Sequence, residues 1–350
     1  MPYKYLLFTC IILMIIGCSQ NQDDSSKQPD KITMVSVDTL FTFTDFETHN
    51  IAQPTEIAIL ENGSMAIVDF DQKQISLVSK SGDLITTFGR EGRGPGEFIR
   101  IDNLFVTDDV IHVIDTNLNM ISKFDTEGNF IKGHTYKSAA ILKEVTAIGS
   151  TKYVIATGGI DSTLLSVTDF KTDSNFYFGT PKGESIEVVN LQESLNQLKN
   201  GEIPDLFKNM VTLRTDHDHI YAFLNAYSIL QKYDLNGNLI WEQNIELPYN
   251  EDIFNATVEK AKNSPGGLPA YTYINDLEVI NEEIVILSNR KNSEVPQQLI
   301  KVNSTGEITD IYTLPAHVGY LAAFDVDNES NTVYFASSED GMVYKSPISL

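Results

Sequence analysis

The chain has 350 residues, of which 48 are Asp or Glu and 25 are Lys or Arg, so its formal net charge is −23. This charge excludes nucleic acid as a partner, because phosphate binding depends on Lys and Arg, and it argues against a polybasic contact with anionic lipid. Two cysteines are too few for a disulfide scaffold, and 42% apolar with 21% charged residues exclude a disordered chain and an integral membrane protein.

The first residues of the chain have the pattern of an export signal. Lys4 precedes an apolar run, residues 5–17, which is too short to span a bilayer and has the length of a signal-peptide core. The run ends in Ile-Ile-Gly-Cys18 and resembles the bacterial lipobox, which implies cleavage before Cys18 and its lipidation. More than one acyl chain would make this anchor stable. The alternative is an ordinary signal peptide in which Cys18 is incidental.

These features predict three regions. Residues 1–17 form a lipoprotein signal peptide, residues 18–34 form a flexible polar tether that carries lipid on Cys18, and residues 35–350 form the folded domain. The membrane is then contacted only through the lipid anchor.

Four segments share one pattern, in which apolar alternation is interrupted by a turn with glycine; they are residues 75–86, 121–132, 230–241 and 299–310. Gly82, Gly128, Gly237 and Gly306 occupy equivalent positions, where a hairpin turn needs a positive φ. A more apolar hairpin precedes each segment, at residues 57–70, 104–116, 213–225 and 277–289. Such continuous apolar stretches are typical of inner strands that are buried on both faces.

Two less regular copies, residues 144–179 and 323–350, complete six units of four strands. Repeats of about 40–50 residues with four strands each indicate a β-propeller. The last unit has only three strands, and the N-terminal strand at residues 35–44 supplies its fourth. We therefore predict an all-β, six-bladed β-propeller with four-stranded blades, whose N-terminal strand closes the last blade. An open pair of β-sheets is the alternative, but it gives no reason for six similar units.

Residues 88–99, rich in glycine, and residues 111–132, with a strand that ends in Asp and an aromatic-Asp pair, resemble the NHL-type propeller repeat. Together with the lipobox, the chain resembles the six-bladed β-propeller lipoproteins of Gram-negative envelopes. The match is specific in the first, second and fourth blades and weak in the third and sixth, where the turn glycine is missing. The resemblance implies a monomeric domain in the cell envelope, anchored to the outer membrane and facing the periplasm or the cell surface.

The connections between strands are unequal on the two faces of such a ring. The turns within hairpins are short throughout, and the long connections all fall between blades, at residues 89–103, 133–143, 180–210 and 246–275. Two of them have helical patterns, residues 184–200 and 251–263, which either cap the ring or wall a pocket. Since long loops on a rigid scaffold usually carry binding sites, we expect the long-loop face to bind the ligand.

Four of the five arginines lie in connections on the long-loop face: Arg90, Arg93, Arg100 and Arg290. Guanidinium groups bind carboxylate, sulfate or phosphate through paired hydrogen bonds, so these residues are candidate ligands for an anion. The alternative is that Arg90 and Arg93 pair with Glu91 and Glu97 and stiffen a glycine-rich loop.

Metal and catalytic signals are weaker. Polar residues that end strands or begin loops could line the channel mouth and bind Ca²⁺; they are Asp69, Asp115, Asn117, Asn225, Asn289 and Glu339. Residues of these types also cap turns.

His217 and His219 have the i, i+2 spacing that places two side chains on one face of a strand, but they fall in a short turn, and we interpret them as turn residues. No Gly-x-Ser-x-Gly, His-Glu-x-x-His or phosphate-loop motif is present.

The sequence therefore favours a binding module over an enzyme. The predicted partner is a peptide, a glycan or an envelope protein, and no cofactor is predicted unless Ca²⁺ binds at the channel mouth. The alternative is a calcium-dependent lactonase, hydrolase or lyase with its centre at the channel mouth, and a third hypothesis is a purely structural scaffold.

Overall fold

The computed structural model describes residues 32–138, 144–186, 189–247, 249–263, 267–269, 271–290, 292 and 294–350. The compact unit Ile32–Leu350 is built mainly of β-strands. Among the described residues, no helix combines the length and the apolar character needed to cross a membrane. The signal peptide, Cys18 and most of the tether lie outside the described residues, so the predictions about them stay predictions.

The strands are numbered in chain order. They are β1 (Thr33–Ser36), β2 (Phe41–Thr44), β3 (Pro54–Ile59), β4 (Met65–Asp69), β5 (Gln74–Val78), β6 (Leu84–Phe88), β7 (Asn103–Thr107), β8 (Val110–Asp115), β9 (Met120–Phe124), β10 (Phe130–Thr135), β11 (Val145–Ala147), β12 (Lys152–Ala156), β13 (Leu165–Asp169), β14 (Ser174–Phe178), β15 (Val211–Thr215), β16 (His219–Leu224), β17 (Ile229–Asp234), β18 (Leu239–Asn244), β19 (Ile274–Ile280), β20 (Glu283–Ser288), β21 (Gln298–Val302), β22 (Ile308–Thr313), β23 (Leu321–Asp327), β24 (Thr332–Ser337) and β25 (Met342–Ser346).

These strands form six antiparallel blades, and the predicted six-bladed β-propeller is confirmed. Blades I to V are β3–β6, β7–β10, β11–β14, β15–β18 and β19–β22. Blade VI combines β23, β24 and β25 with β2, which pairs with β25 from Phe41 opposite Lys345 onwards. The N-terminal strand therefore closes the last blade, as predicted, and removes an open sheet edge.

The N-terminal segment differs from the expectation in one respect. Instead of one strand it forms two, because β1 leaves blade VI and runs parallel to β22 as a fifth strand of blade V. Thr33 lies opposite Asp310 and Ser36 opposite Thr313. The segment thus holds two neighbouring blades, and the four residues between β1 and β2 cross from one to the other.

Burial follows the position of each strand in its blade. The second strands are the most buried: every residue of β4, MAIVD, is buried, and so is nearly every residue of β16, β20 and β24. The outermost strands alternate or are exposed, as in β18, LIWEQN. Apolar side chains of adjacent blades pack face to face, which gives one cluster for each blade junction rather than one central core.

The turn glycines adopt the predicted backbone. In the last hairpin of blades I, II, IV and V, Gly82, Gly128, Gly237 and Gly306 have φ values of 97°, 83°, 82° and 89°. Blade III lacks this glycine, and Asp173 has φ 54° in its last hairpin instead. Aspartate tolerates this region because its short side chain makes local hydrogen bonds.

The helical segments belong to the long-loop face. Besides the short α1 (Phe46–His49), the helices are α2 (Leu191–Lys199) and α3 (Asn250–Asn263), which pack on each other through Leu195, Leu198, Val258 and Ala261. The helix α2 begins later than the sequence pattern suggested, because the side chain of Asn190 caps it by accepting the N–H of Glu193.

Candidate functional site

The axis of the ring is lined by polar side chains from the inner strands of all six blades. We call this set the channel cluster; its members are Glu56, Asn103, Glu144, Arg214, Asp276, Glu278 and Asp325. Glu144 immediately precedes β11, and the others lie within β3, β7, β15, β19 and β23. Five carboxylates therefore surround one guanidinium.

Arg214 organises one half of the channel cluster. Its Nε donates to Glu278 Oε1 at 2.8 Å, and its Nη2 donates to Asp276 Oδ1. Its Nη1 donates to the carbonyl of Leu213 at 2.9 Å, which fixes the fork. The Arg214 side chain is 13% exposed and that of Asp276 5% exposed, so this pairing is shielded from bulk water.

Two aspartates of the channel cluster also join neighbouring blades. Asp276 in blade V accepts the backbone N–H of Phe324 in blade VI at 3.0 Å. Asp325 in blade VI accepts the N–H of Ile59 in blade I at 2.7 Å. Hydrogen bonds to charged groups are the stronger class, so these carboxylates stabilise the ring at the same junctions as the apolar packing.

The other half of the channel cluster contains no cation. Asn103 Nδ2 donates to Glu144 Oε2 at 3.0 Å, whereas the Asn103 Oδ1 atom is buried and has no hydrogen-bond partner. Glu56 lies in the same region, since the charges of Glu144 and Glu56 repel each other. This half consists of acceptors from blades I, II and III.

Burial raises the pKa of each carboxylate in the channel cluster. It raises the pKa of Glu144 to about 7, with Arg214 opposing the shift. It raises that of Glu278 to about 8, and that of Asp325 to about 6, although Asp325 accepts two backbone N–H groups. The pKa values of Glu56 and Asp276 are raised as well, for the same reason. At neutral pH the cluster therefore holds protons that exposed carboxylates would have lost.

A second feature is a cavity of about 1170 Å³ on the opposite face from the long loops. It lies among the first turns of blades I to V and the last turns of blades III and IV, and we call it the turn-face depression. Six acidic residues line it with one lysine, Lys152; the acids are Glu61, Asp108, Asp169, Asp216, Asp218 and Glu282. Its walls include Thr215 and Val279, each the next residue after a member of the channel cluster.

Several hydrogen bonds hold Asp216 in the turn-face depression. It accepts the N–H of Asp218 at 2.8 Å, the hydroxyl of Tyr221 at 2.9 Å and the N–H of His219 at 2.6 Å. Burial raises the pKa of Asp216, but these hydrogen bonds outweigh it and hold the pKa below the usual value. His217 lies in this turn, as the sequence indicated, whereas His219 is the first residue of β16, and both line the depression.

Sequence reasoning treated this face as plain because each turn is short. The structure shows why that argument is incomplete: seven short turns from five blades enclose a concavity that none of them forms alone. Loop length therefore indicates sites formed by a single long loop, but it does not indicate a site that several short turns form together.

The candidate arginines on the long-loop face have separate partners. Arg90 donates Nη2 to Glu97 at 2.6 Å, the pairing that the alternative interpretation named, and Arg93 is exposed. Arg100 pairs with Asp102. These three lie between blades I and II.

Arg290 lies in blade V, two blades away from the other three. It donates Nη2 to Glu339 at 2.8 Å and lies over the ring of Tyr320, 5.6 Å from its centroid. Its side chain is 8% exposed. The anion site is therefore not assembled by contacts among the four arginines, and it stays a prediction for a bound ligand.

The carboxylates among the calcium candidates hold loops. Asp69 accepts the N–H of Ala52 at 2.7 Å, and Asp115 accepts that of Ile99 at 2.6 Å. Glu339 accepts the N–H of Tyr320 at 2.9 Å in addition to its ion pair.

The amide candidates are divided. Asn225 donates to Thr212 Oγ1 at 3.1 Å and Asn289 to the carbonyl of Thr272 at 2.9 Å, whereas Asn117 is exposed. Within the described ranges, no group of three or more His, Cys, Asp or Glu is placed to hold a metal ion. The calcium site at the channel mouth stays a prediction.

The channel cluster was missed as a site by sequence reasoning. A signal was present: the innermost strands β3, β15, β19 and β23 each carry at least one charged residue beside their apolar positions, including Glu56, Arg214, Glu278 and Asp325. A charge in a buried strand is informative because it needs a partner or a polar cavity.

Comparison with known proteins gives the family and the fold. The DUF5128 model, described as a 6-bladed beta-propeller, matches residues 19–222. No curated protein sequence matches the chain.

Among solved structures, a DUF4221 family member from Bacteroides vulgatus has a TM-score of 0.53 at 10% identity, covering 87% of this chain and 94% of that one. A catalytically inactive virginiamycin B lyase from Staphylococcus aureus with quinupristin has a TM-score of 0.52 at 12% identity, covering 88% and 98%. A putative exported protein from Bacteroides fragilis has a TM-score of 0.50 at 11% identity, covering 90% and 98%. Because the sequence identities are this low, the structural similarity shows a shared fold and nothing more.

Proposed function

Because the chain belongs to the DUF5128 family of six-bladed β-propellers, we propose that it is an envelope-anchored binding module whose turn-face depression takes a basic segment of a peptide or envelope protein. The observation that carries the proposal is the lining of the depression, six carboxylates against one lysine around about 1170 Å³. A cleft of one charge sign concentrates ligands of the opposite sign and raises their association rate. A cavity of this size accommodates several side chains.

The hydrogen bonds of Asp216 support this proposal. They favour its charged form, so the depression keeps negative charge at neutral pH. Asp108, Asp218 and Glu282 are exposed at the rim, where they can meet an incoming cation without a large desolvation penalty. Rim charges of this kind act mainly on the association rate and on specificity.

The test of the depression uses a labelled lysine-rich peptide and an acidic peptide of the same length. The triple variant Asp108→Asn, Asp218→Asn and Glu282→Gln removes three rim charges. We expect the lysine-rich peptide to bind the native protein, with a dissociation constant that rises about tenfold in the variant and rises with salt. The acidic peptide should not bind.

The matched control carries the same change of charge away from the depression. Glu47→Gln, Glu202→Gln and Glu294→Gln replace three exposed acids and should leave the affinity within about twofold. Equal losses in both triple variants would mean that only net charge matters, and the depression would not be the site.

The anchor is the second part of the proposal. It rests on the lipobox-like Ile-Ile-Gly-Cys18 and on the start of the family match at residue 19, after the proposed leader. Cys18→Ser should move the protein from the membrane fraction to the soluble fraction and abolish incorporation of labelled fatty acid. A Cys18→Ser protein that stays with the membrane would contradict lipid anchoring.

An enzymatic role is the second candidate, and one observation favours it. Glu144 and Glu278 have pKa values of about 7 and about 8, close to those of acid–base catalysts at neutral pH. A calcium-dependent lactonase, hydrolase or lyase predicts bound Ca²⁺ in the purified protein and a hydrolytic or elimination activity that chelation abolishes. Metal-free protein without such activity would leave the binding role alone.

A further inference from the structure

The acceptor half of the channel cluster is a concentrated set of hydrogen-bond acceptors. Glu56, Asn103 and Glu144 come from three successive blades and lie near the axis of the ring. The carboxylates of Glu56 and Glu144 are close enough to repel each other. No ion pair to either of them is found among the described residues.

The remaining charges of the channel are already satisfied. Arg214 binds Asp276 and Glu278, and Asp325 accepts the N–H groups of Ile59 and Val326. The uncompensated acceptors are therefore confined to blades I to III.

Asn103 shows what this half of the channel lacks. Its side chain is part of the acceptor half, because Nδ2 donates to Glu144 Oε2 at 3.0 Å. The residue is 5% exposed, and its Oδ1 atom has no hydrogen-bond partner. A buried acceptor without a donor costs about 1–3 kcal/mol, so this position is suited to a ligand that brings donors.

The chemistry of that ligand follows from the acceptors. A calcium ion needs six to eight oxygen ligands at short range, and within the described ranges no cluster of three acids or histidines is placed to hold a metal. An ammonium group instead offers three donors on a compact positive charge. Three donors match the three acceptor side chains.

We propose that Glu56, Asn103 and Glu144 form a binding site for the primary ammonium group of a ligand that enters the channel. Glu56 and Glu144 accept two ionic hydrogen bonds from the ammonium group, and Asn103 Oδ1, which is buried without a donor in the free protein, accepts the third once the amide turns toward the ligand. Glu56 and Glu144 are half-buried, so the site is reached by solvent. The site is separate from the turn-face depression, and its occupation does not depend on the function proposed for that depression.

Proton release accompanies binding at this site. Burial raises the pKa of Glu144 to about 7 and raises that of Glu56, while Arg214 lowers both and Asp276 raises both. The charge of Asp102 also raises the pKa of Glu144, and the charge of Glu278 also raises the pKa of Glu56. An ammonium ligand requires the ionised carboxylates, whereas its own pKa is near that of lysine, about 10.4. Its affinity should therefore increase between about pH 6 and pH 8.

The experiment is calorimetric titration of the purified full chain with n-butylamine, and with n-butanol as the neutral counterpart. We expect saturable binding of the amine alone, with proton release near pH 7 seen as a dependence of the heat on the ionisation enthalpy of the buffer. An acetylated and amidated Gly-Lys-Gly peptide distinguishes a lysine side chain from a free amine: tighter binding of the peptide identifies a peptide ligand. Equal binding of butanol, or absence of saturable amine binding, would overturn the proposal.

Two variants locate the site. Glu56→Gln and Glu144→Gln should each weaken amine binding about tenfold or more, since each removes an ionic hydrogen bond. No hydrogen bond to Glu56 is found among the described residues, so Glu56→Gln should fold normally, and its thermal unfolding verifies this. Glu282→Gln, in the turn-face depression, is the matched control and should leave amine affinity unchanged. If both channel variants bind the amine like the native protein, the site assignment is wrong.

The same variants separate this proposal from the function proposed above. Glu56→Gln should leave binding of the lysine-rich peptide at the depression intact, and the depression triple variant should leave amine binding intact. If the native protein binds the lysine-rich peptide but not the amine, only the channel proposal is contradicted. If it binds the amine but not the peptide, only the proposal for the depression is contradicted.

Discussion

Arg214 in blade IV donates its Nε to Glu278 Oε1 in blade V at 2.8 Å, across the junction of two inner strands. The same guanidinium binds Asp276, so one cation holds two carboxylates of the neighbouring blade. At the channel wall the lining residues are polar, so this ion pair joins the two blades where apolar packing is not available.

Replacing Arg214 with Met should destabilise the propeller strongly. It leaves Asp276 and Glu278 buried without their cation, and removal of one partner from a buried pair costs about 3 kcal/mol or more. Urea unfolding at pH 7 measures the loss. Arg93→Met changes the same residue type at an exposed position and should shift the free energy of unfolding by less than about 0.5 kcal/mol. Similar values for the two variants would contradict the assigned role of Arg214.

Stability should decrease as pH rises from about 5 to about 8.5. Asp325, Glu144 and Glu278 have folded-state pKa values of about 6, about 7 and about 8, above those of the unfolded chain. The folded state therefore binds more protons in this window, and its advantage is lost as pH rises through these values. We expect the free energy of unfolding to fall progressively across this window, measured by urea unfolding at successive pH values.

Glu278→Gln provides the control for this pH dependence. A glutamine cannot lose a proton, so the variant should show a smaller decline between pH 7 and pH 8.5. Below about pH 4.5 a different trend should follow, because hydrogen bonds lower the pKa of Glu97 and Asp234, and their stabilisation is lost on protonation. A native protein most stable at pH 8 would contradict the burial of the channel carboxylates.

Closure of the ring by β2 can be tested within that strand. Phe43 is 9% exposed and meets Tyr334 edge-on, with ring centroids 5.0 Å apart, whereas Phe41 is 54% exposed. Phe43→Ala should lower the free energy of unfolding by about 3 kcal/mol, and Phe41→Ala by less than about 1 kcal/mol. Thermal unfolding of both variants compares them directly. Equal effects would mean that β2 does not pack on blade VI.

The turn glycines offer a test that separates steric from conformational effects. A Cβ on Gly128 would lie 2.5 Å from Phe88 Cδ1, whereas one on Gly149 would have no atom within 4 Å; their φ values, 83° and 86°, are nearly the same. Gly149→Ala should cost about 1 kcal/mol for the backbone alone, and Gly128→Ala clearly more, about 2–3 kcal/mol. Chemical denaturation distinguishes them. If Gly149→Ala is the more harmful change, the assigned contact with Phe88 is wrong.

The fold was predictable because its signals are local. A glycine at one position of each hairpin and apolar alternation on both sides specify a hairpin without reference to the rest of the chain, and repetition then specifies a ring. The division of the N-terminal segment into β1 and β2 was not predictable, since it depends on which neighbouring blade offers a free edge.

The candidate sites were less predictable for a geometric reason. Glu56 and Glu144 are far apart in sequence and belong to blades I and III, so they come near each other only when successive blades assemble around the axis. Sequence reasoning weighed loop length and arginine clustering, which describe single segments. The turn-face depression and the channel cluster are both shared among several blades, so neither has a signature within one segment.

The pairing of β2 with β25 also determines when folding can finish. These strands pair in space but lie near opposite ends of the propeller's sequence, so β2 has no partner until β25 has been synthesised. Contacts this distant in sequence form late, because closing a long loop is entropically unfavourable. Until then the nascent ring has two unpaired strand edges, which can join other chains. The protein is therefore most exposed to misassembly just before the last blade is completed, and pairing of β2 with β25 removes that exposure.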